Sequence, residues 1–367
     1  MGNSPNPPDA IGFRPMWNEA TGRAFRKTMS ARIIYHDDSE PGITRKKMSH
    51  GWGYYDPHGT RITDRDEIDR LNAVGLPPAY RDAWFCPKPN GHIQGVGWDE
   101  KGRKQYRYHG DFREKRDDAK YDLCAPFGRA LPKLRARVDK DLKRRALTKH
   151  AAVAAVVRLL DLGHVRVGNE GYVKENKSYG ATTLRKRHAD LHGRTLKLQY
   201  KAKSGKLRSL TITDRSLSRF VKKCQDLDCQ HLFSWVDEKG GCHPVTSSDV
   251  NEYIRDAMGE GYTAKHFRTW SASAIAFEAI ATADHDIGLK TMLEPVTEAL
   301  GNTSAIARKS YVHPALLALV KKGQTKFRNG LSLPRQTKYL SRAERGLIAF
   351  LDHAKPGAKP VRAAKAA

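Results

Sequence analysis

The run from His150 to Leu162 is apolar on nearly every side, with alanine, valine and leucine filling most of it. A helix with no polar face cannot lie at a surface, so other elements have to surround it and the chain must build a helical core around this segment. The run is also well short of the ~20 residues that a bilayer span requires, and no other apolar run comes near that length. With 367 residues the chain has room for two domains, each with its own core.

Ahead of that helix the pattern differs. Residues 1–30 carry proline at positions 5, 7, 8 and 15 and little apolar periodicity, so they read as an arm with at most a short helix around Glu19 to Thr28. From Ala31 short segments take over. Arg32 to Tyr35, Gly51 to Tyr55 and Arg61 to Thr63 read as strands, with a turn at Asp56-Pro57-His58-Gly59. Asp64 can cap a helix from Arg65 to Val74, which ends before Pro77-Pro78. Strands Ile93 to Trp98 and Lys104 to Tyr108 flank a turn at Asp99 to Gly102. Residues 31–110 are therefore expected to form a small β-rich domain. Its last hairpin alternates with period two, Lys104, Tyr106 and Tyr108 on one face and Arg103, Gln105 and Arg107 on the other. Such cations can hold phosphates while amide and guanidinium groups reach base edges, although a solvated hairpin in a basic protein would look the same.

Residues 111–354 are predicted to form a second, mainly α-helical domain, which makes the fold class α+β. Leu123, Phe127, Leu131, Leu134, Val138 and Leu142 recur at helical spacing, and Pro126 and Pro132 should divide that stretch into more than one helix. The apolar helix then delivers Arg166 between Val165 and Val167, next to Gly168. An arginine in an apolar frame wants an anionic partner, either a ligand or a structural ion pair such as Glu170. Thr183 to Arg185, His188 to Leu191, Thr195 to Tyr200 and Leu207 to Thr213 read as a β-meander, with Lys203 at a hairpin tip. A tip lysine is usually a surface lysine, but a tip can also lower a side chain onto a substrate. Asp214 to Leu227 is an amphipathic helix, Ser248 should cap another from Asp249 to Met258, and Ala264 onward is a helix on which Lys265 and Arg268 share a face. Ser341 and Glu344 form a capping box for a last helix to about His353. Residues 355–367 read as a disordered basic tail.

Lysine and arginine total 66 against 40 aspartate and glutamate, a formal charge of +26 spread along the whole length. A basic body of this kind needs a polyanion, and the N-terminus lacks the charged and apolar regions of a signal peptide. The expected partner is nucleic acid, in the cytoplasm. The five cysteines, Cys86, Cys124, Cys224, Cys229 and Cys242, are irregularly spaced and odd in number, which points to reduced thiols. Cys224, Cys229, His231, Cys242 and His243 lie close in sequence but lack a Cys-x-x-Cys pair, so ordinary packing is favoured over a zinc site.

The segment that gives this basic body a chemistry is Gly301 to Pro314. Tyr311 ends a short polar and basic stretch, with Asn302, Arg308 and Lys309 nearby, and begins an apolar run from Val312 to Val320. A phenol with a pKa near ~10 needs cations at the atom it attacks if it is to act as a nucleophile at neutral pH. Tyr311 is read as a nucleophile aimed at a DNA phosphodiester, against the plainer reading of a buried tyrosine at a helix start. A phosphodiester under attack gathers charge on its non-bridging oxygens, which Arg166 and Arg268 can neutralise while Asn302 donates a hydrogen bond. The departing 5′-oxygen needs a proton, and a titratable lysine, Lys203, suits that task better than an arginine. One phosphodiester is exchanged for another, so neither ATP nor a metal cofactor is demanded.

After about residue 30 the chain resembles the type IB DNA topoisomerases, in particular their small bacterial and poxvirus-like branch. Gly-Arg-Lys-Gln-Tyr-Arg-Tyr at 102–108 resembles the DNA-contacting hairpin of the N-terminal domain in that family. Arg166-Val-Gly-Asn followed by Tyr172-Val-Lys-Glu-Asn is similar to the first catalytic arginine segment, Lys203 to the hairpin lysine, Lys265-His-Phe-Arg268-Thr to the second arginine motif, and Tyr311 to the nucleophile. Ala202 stands where a glycine is usual, and Asn302 where many relatives have histidine, although bacterial members are similar to this chain in having asparagine. The resemblance implies a tyrosine recombinase-like catalytic fold, relaxation of supercoils through a 3′-phosphotyrosyl intermediate, a supporting role for Lys265, DNA contact by Lys309, and a monomer closing as a clamp around DNA. A tyrosine recombinase would share the arginine, lysine and tyrosine set, but recombinases usually place histidine three before the second arginine, where this chain has Lys265. A non-enzymatic architectural DNA binder would make Tyr311 structural.

Overall fold

The computed structural model describes residues 32–100 and 102–354. The N-terminal arm with its expected helix and the basic tail lie outside the described residues. The chain divides into two compact units, Met1–Asp117 and Asp118–Ala367.

In the first unit β1 (Ile43–Lys47), β2 (Trp52–Tyr55), β3 (Arg81–Phe85), β4 (Ile93–Trp98) and β5 (Lys104–Tyr108) form one antiparallel sheet in the order β2-β1-β3-β4-β5, with α1 (Arg65–Ala73) between β2 and β3 in sequence. Asp64 caps α1 by accepting from Asp66 N, and the Tyr54 hydroxyl donates to Asn72 Oδ1 at 2.8 Å, tying sheet to helix. The core is Ile43, Tyr54, Leu71, Leu76, Ala83 and Phe85. Two of the expected strands are reduced to bridges, and two strands were not expected. Arg32 to Tyr35 contributes only an isolated bridge at Ile34, Arg61 only a bridge to Tyr55, and the two strands β1 and β3 lay outside the prediction. The reason is visible at Arg45 on β1. Its guanidinium lies 4.2 Å from the Trp52 ring centre and donates to the carbonyls of Leu76 and Pro77, so a strand of mostly polar residues is held by a cation on an aromatic and on two backbone acceptors.

Helix α2 (Gly110–Asp122) contains the boundary between the units, and the second unit is mainly helical: α3 (Cys124–Leu142), α4 (Lys149–Gly163) and α5 (Glu170–Asn176), then strands β6 (Ala189–His192), β7 (Thr195–Lys201) and β8 (Leu207–Thr213), then α6 (Arg215–Gln225). A small hairpin, β9 (Ser234–Val236) with β10 (Cys242–Pro244), precedes α7 (Ser247–Met258), α8 (Ala264–Ala281), α9 (Leu289–Leu300), α10 (Ser304–Ser310), α11 (Pro314–Lys321), α12 (Gln324–Asn329) and α13 (Arg342–Ala354). The expected α+β class, a β-rich front part and a helical remainder with a meander, is what the structure has. The apolar α4 is surrounded by α3, α6, α7 and α8, with Ala152, Ala154, Ala155, Val156, Leu159 and Leu160 fully buried. α8 is nearly as enclosed, and both run toward the region of Tyr311. The helix break falls at Leu123, which places Pro126 in the first turn of α3, where its missing N–H costs nothing; Pro132 sits inside α3 without ending it. Thr246, with Asp249, caps α7 in place of Ser248, while Ser341 and Glu344 form the expected reciprocal cap of α13. The expected strand at Thr183 to Arg185 is instead a 3-10 turn over Ala181–Thr183.

The cysteines also depart from expectation. Cys229 and Cys242 form a disulfide that closes the segment leading into β10, while Cys86, Cys124 and Cys224 are buried thiols. Cys224 points its sulfur at the Ser234 carbonyl, and burial pushes its thiol up to about 11, which disfavours the thiolate that a metal would require. Among the described residues no helix is long and apolar enough to cross a membrane.

Candidate active site

α4 ends at His164, which adopts a left-handed conformation and turns the chain sharply into Val165 and Arg166. The loop is then pinned from below. Ala181 N donates to Arg166 O at 2.8 Å, Thr182 N to Val167 O at 2.7 Å, and Gly180 lies so near that a Cβ there would meet Gly168 N at 2.6 Å. The Arg166 side chain donates from Nη2 to Asn302 Oδ1 at 2.9 Å. Glu170, the structural partner considered above, pairs with Arg185 and His231 instead.

Arg268 sits one turn into α8 and is only 4% exposed. Its Nη2 donates to Leu300 O at 3.1 Å and its Nη1 to the His164 carbonyl, so it spans from the end of α9 to the end of α4. Its guanidinium carbon lies 4.8 Å from the centre of the Tyr311 ring. Burial and the neighbouring Arg166 pull the Arg268 pKa down, and Tyr311 opposes them.

Tyr311 follows the last residue of α10, with Thr303 capping that helix from the other end. It therefore stands between two helices, since α11 starts only at Pro314 behind the His313 cap. The expected helical start at Val312 is displaced by this cap. Its backbone is fixed by Tyr311 N to Ala307 O at 3.1 Å, by Ser273 Oγ to Tyr311 O at 3.4 Å, and by Lys120 Nζ, which donates to the Ser310 carbonyl and lies 5.9 Å from the Tyr311 ring centre. Burial would raise the phenol's pKa, but the guanidiniums of Arg268 and Arg166 outweigh it and hold Tyr311 below the usual tyrosine value. Arg308 and Lys309, its neighbours in sequence, are exposed.

The structure thus gathers Tyr311, Arg166, Arg268 and Asn302. Asn302 Nδ2, Arg268 Nε and His164 Nδ1 are buried without hydrogen-bond partners, and the first two are donors that an anion would satisfy. Lys203 stands exposed on a 3-10 turn at the tip between β7 and β8 and makes no ion pair among the described residues. Ala202 before it has φ −89, a conformation open to any residue, so the loss of the usual glycine brings no strain. Lys265 is exposed in the first turn of α8, one turn away from the buried Arg268. In the first unit the β5 hairpin is already engaged: Arg103 pairs with Asp99 at 2.7 Å, Gln105 donates to the same carboxylate at 3.1 Å, and Lys104 pairs with Asp38 at 2.5 Å, while the Tyr106 and Tyr108 rings stack with centres 6.0 Å apart. Arg107 is half-buried on the same strand. Sequence reasoning passed over His164, Lys120, Ser273 and Arg208. Only Arg208 left a trace, as a cation at an inward position of β8.

The catalytic core of eukaryotic DNA topoisomerase I matches residues 109–311, and the N-terminal domain of bacterial DNA topoisomerase IB matches residues 51–99. DNA topoisomerase 1B of Acanthamoeba polyphaga mimivirus is 31% identical over 286 residues, covering 74% of this chain and 85% of the viral protein. DNA topoisomerase 1B of Vaccinia virus (strain Copenhagen) is 20% identical over 230 residues, 62% of this chain and 72% of its own. Among solved structures, a XerH site-specific recombinase bound to palindromic difH substrate covers 50% of this chain and 47% of that chain at 19% identity and a TM-score of 0.35, too slight a likeness to decide anything. With a catalytic-core match over more than half its length and a viral relative aligned along most of both sequences, the chain belongs to the type IB DNA topoisomerases.

Proposed function

We propose that Tyr311 is the nucleophile through which this topoisomerase relaxes supercoiled DNA, and that the residues gathered around it carry the transesterification. The Tyr311 phenol, its pKa lowered by Arg268 and Arg166, gives its proton to water as its oxygen bonds to the phosphorus of a DNA phosphodiester; the bond from phosphorus to the 5′-oxygen breaks, and a 3′-phosphotyrosyl intermediate remains. Arg166 and Arg268 offset the charge on the non-bridging oxygens, and Asn302 donates from Nδ2. Lys203, lowered from the hairpin tip, gives its Nζ proton to the 5′-oxygen, and Lys265 supports the site from the edge of α8. The free 5′ end rotates, and attack by the 5′-hydroxyl reverses the step. The observation that supports this reading best is a phenol lying against two guanidiniums that pair with no carboxylate among the described residues.

Residues 31–110 would contact duplex DNA through Arg103, Lys104, Gln105, Tyr106, Arg107 and Tyr108, and residues 111–354 through Lys309. A monomer with both parts would close around the duplex, which suits a charge of +26. It would work in the cytoplasm, on the nucleoid. Supercoiled plasmid incubated with the protein in EDTA should be relaxed without sequence choice. Tyr311→Phe should bind DNA yet neither relax it nor become covalently trapped on it. Trapping that survives in Tyr311→Phe assigns the nucleophile elsewhere, and binding without relaxation by the unmodified protein supports an architectural role.

A further inference from the structure

The C-terminal turn of α9 exposes carbonyls that no residue within the helix can satisfy. Arg208 Nη1 donates to Glu298 O at 3.1 Å and Nη2 to Ala299 O at 2.5 Å, while Arg268 Nη2 takes the next carbonyl, Leu300 O, at 3.1 Å. Two guanidiniums from different elements, β8 and α8, therefore cap one helix end, where the helix dipole favours positive charge. The residues that follow are Gly301, in the left-handed conformation at φ 64, and Asn302, which accepts from Arg166. A Cβ on Gly301 would lie 2.7 Å from Arg208 Nη1, so the approach of Arg208 leaves no room for a larger residue.

Arg208 belongs to the hairpin that ends in Lys203. It is paired in register with Tyr200 on β7 and shares the inward face of β8 with Leu210 and Ile212. Leu210 and Ile212 hold the base of the hairpin through apolar contact; nearer the tip, that face makes two directed bonds to α9 instead. Both ends of this link lead to the chemistry, Lys203 at the tip on one side and Asn302 two residues beyond the helix end on the other. We propose that Arg208 is a positioning residue, which fixes the Lys203 hairpin to the end of α9 and so sets Lys203 relative to Asn302 and Arg166. This rests on Lys203 being the proton donor to the 5′-oxygen.

The test is single-turnover cleavage of matched substrates with a 5′-bridging oxygen or a 5′-bridging sulfur, since a thiolate leaves without needing the proton. Arg208→Ala should cleave the oxygen substrate about 100-fold more slowly, the scale of loss for a misplaced group, and recover most of that loss on sulfur, as Lys203→Ala should. Arg268→Ala should stay slow on both. Arg208→Lys, which can hold one carbonyl where arginine holds two, should show a smaller defect with the same sulfur recovery, and it carries the test if Arg208→Ala does not fold. Equal defects on both substrates, or no defect on oxygen, overturn the role of Arg208 when Lys203→Ala recovers. If Lys203→Ala itself fails to recover on sulfur, the reading of Lys203 falls first and the positioning role with it.

Discussion

In the β5 hairpin the cations sit on carboxylates, Arg103 on Asp99 and Lys104 on Asp38, whereas around Tyr311 the guanidiniums of Arg166 and Arg268 touch only neutral oxygens: the amide of Asn302 and the carbonyls of His164 and Leu300. Both regions are basic in sequence. In one, Arg103 and Lys104 must give up ion pairs before they can hold a phosphate, which lowers what each adds to binding. The other keeps its positive charge uncompensated while its geometry is fixed by hydrogen bonds. That is the arrangement that stabilises charge developing in a transition state, because no reorganisation is needed when the anion forms. Uncompensated charge in a buried place is also costly, and Arg268 offsets part of it by holding the carbonyls at the ends of α4 and α9.

Removing a cation from each region should separate the two roles. Arg268→Ala should lower the rate of strand cleavage by on the order of 10²- to 10³-fold, the usual loss for one preorganised stabilising group. Arg268→Lys should recover little of it, since an ammonium cannot span the carbonyls of His164 and Leu300 while facing the phenol. The same measurement on Lys104→Ala should show a change within a few-fold at saturating DNA. A Lys104→Ala defect as large as that of Arg268→Ala would erase the distinction between the regions.

A smaller effect concerns pH. The Tyr311 phenol is held below the free-tyrosine value of about 10 because two guanidiniums outweigh burial. Cleavage should therefore rise with pH and level off below the free-tyrosine value, and in Arg268→Ala, where burial remains and one cation is lost, the midpoint should move to higher pH. The sign for stability follows from the same shift. A depressed acid gives up its proton in the folded state first, so Tyr311 adds stability relative to Tyr311→Phe above the unfolded value, and this is lost as pH falls through the folded value. An unmoved midpoint in Arg268→Ala would mean that Arg268 does not act on the phenol.

The smallest expected change is in salt dependence. Each phosphate neutralised contributes about 0.9 to the slope of log affinity against log salt. Lys104→Ala should lower that slope by less than this, because Lys104 already has Asp38 as a partner, and Asp38→Asn should raise it by up to about 0.9 as Lys104 becomes free to meet a phosphate. A full unit lost in Lys104→Ala would show that the ion pair opens on DNA.

The sequence alone determined the fold class, the burial of α4, both strands of the last hairpin of the first unit, the meander, and the identity of a tyrosine, two arginines and an asparagine as candidates. The elements follow from periodicity and turn residues, and the candidates from what phosphoryl transfer asks of side chains together with the resemblance to the type IB topoisomerases, all read over short stretches of chain. Only the tertiary structure decided which cations lie against Tyr311. Arg308 and Lys309 are adjacent to it in sequence yet exposed, while Arg166 and Arg268 reach it from the end of α4 and from α8. It also decided that Asp38 and Asp99 quiet the β5 hairpin, that Arg45 holds a strand of mostly polar residues, that Cys229 meets Cys242, and that Arg208 and Arg268 divide the carbonyls at the end of α9. In each case the partner is far along the chain or is a backbone oxygen with no letter of its own. Whether a charge is paired or free is set by that partner, so a local pattern cannot reveal it.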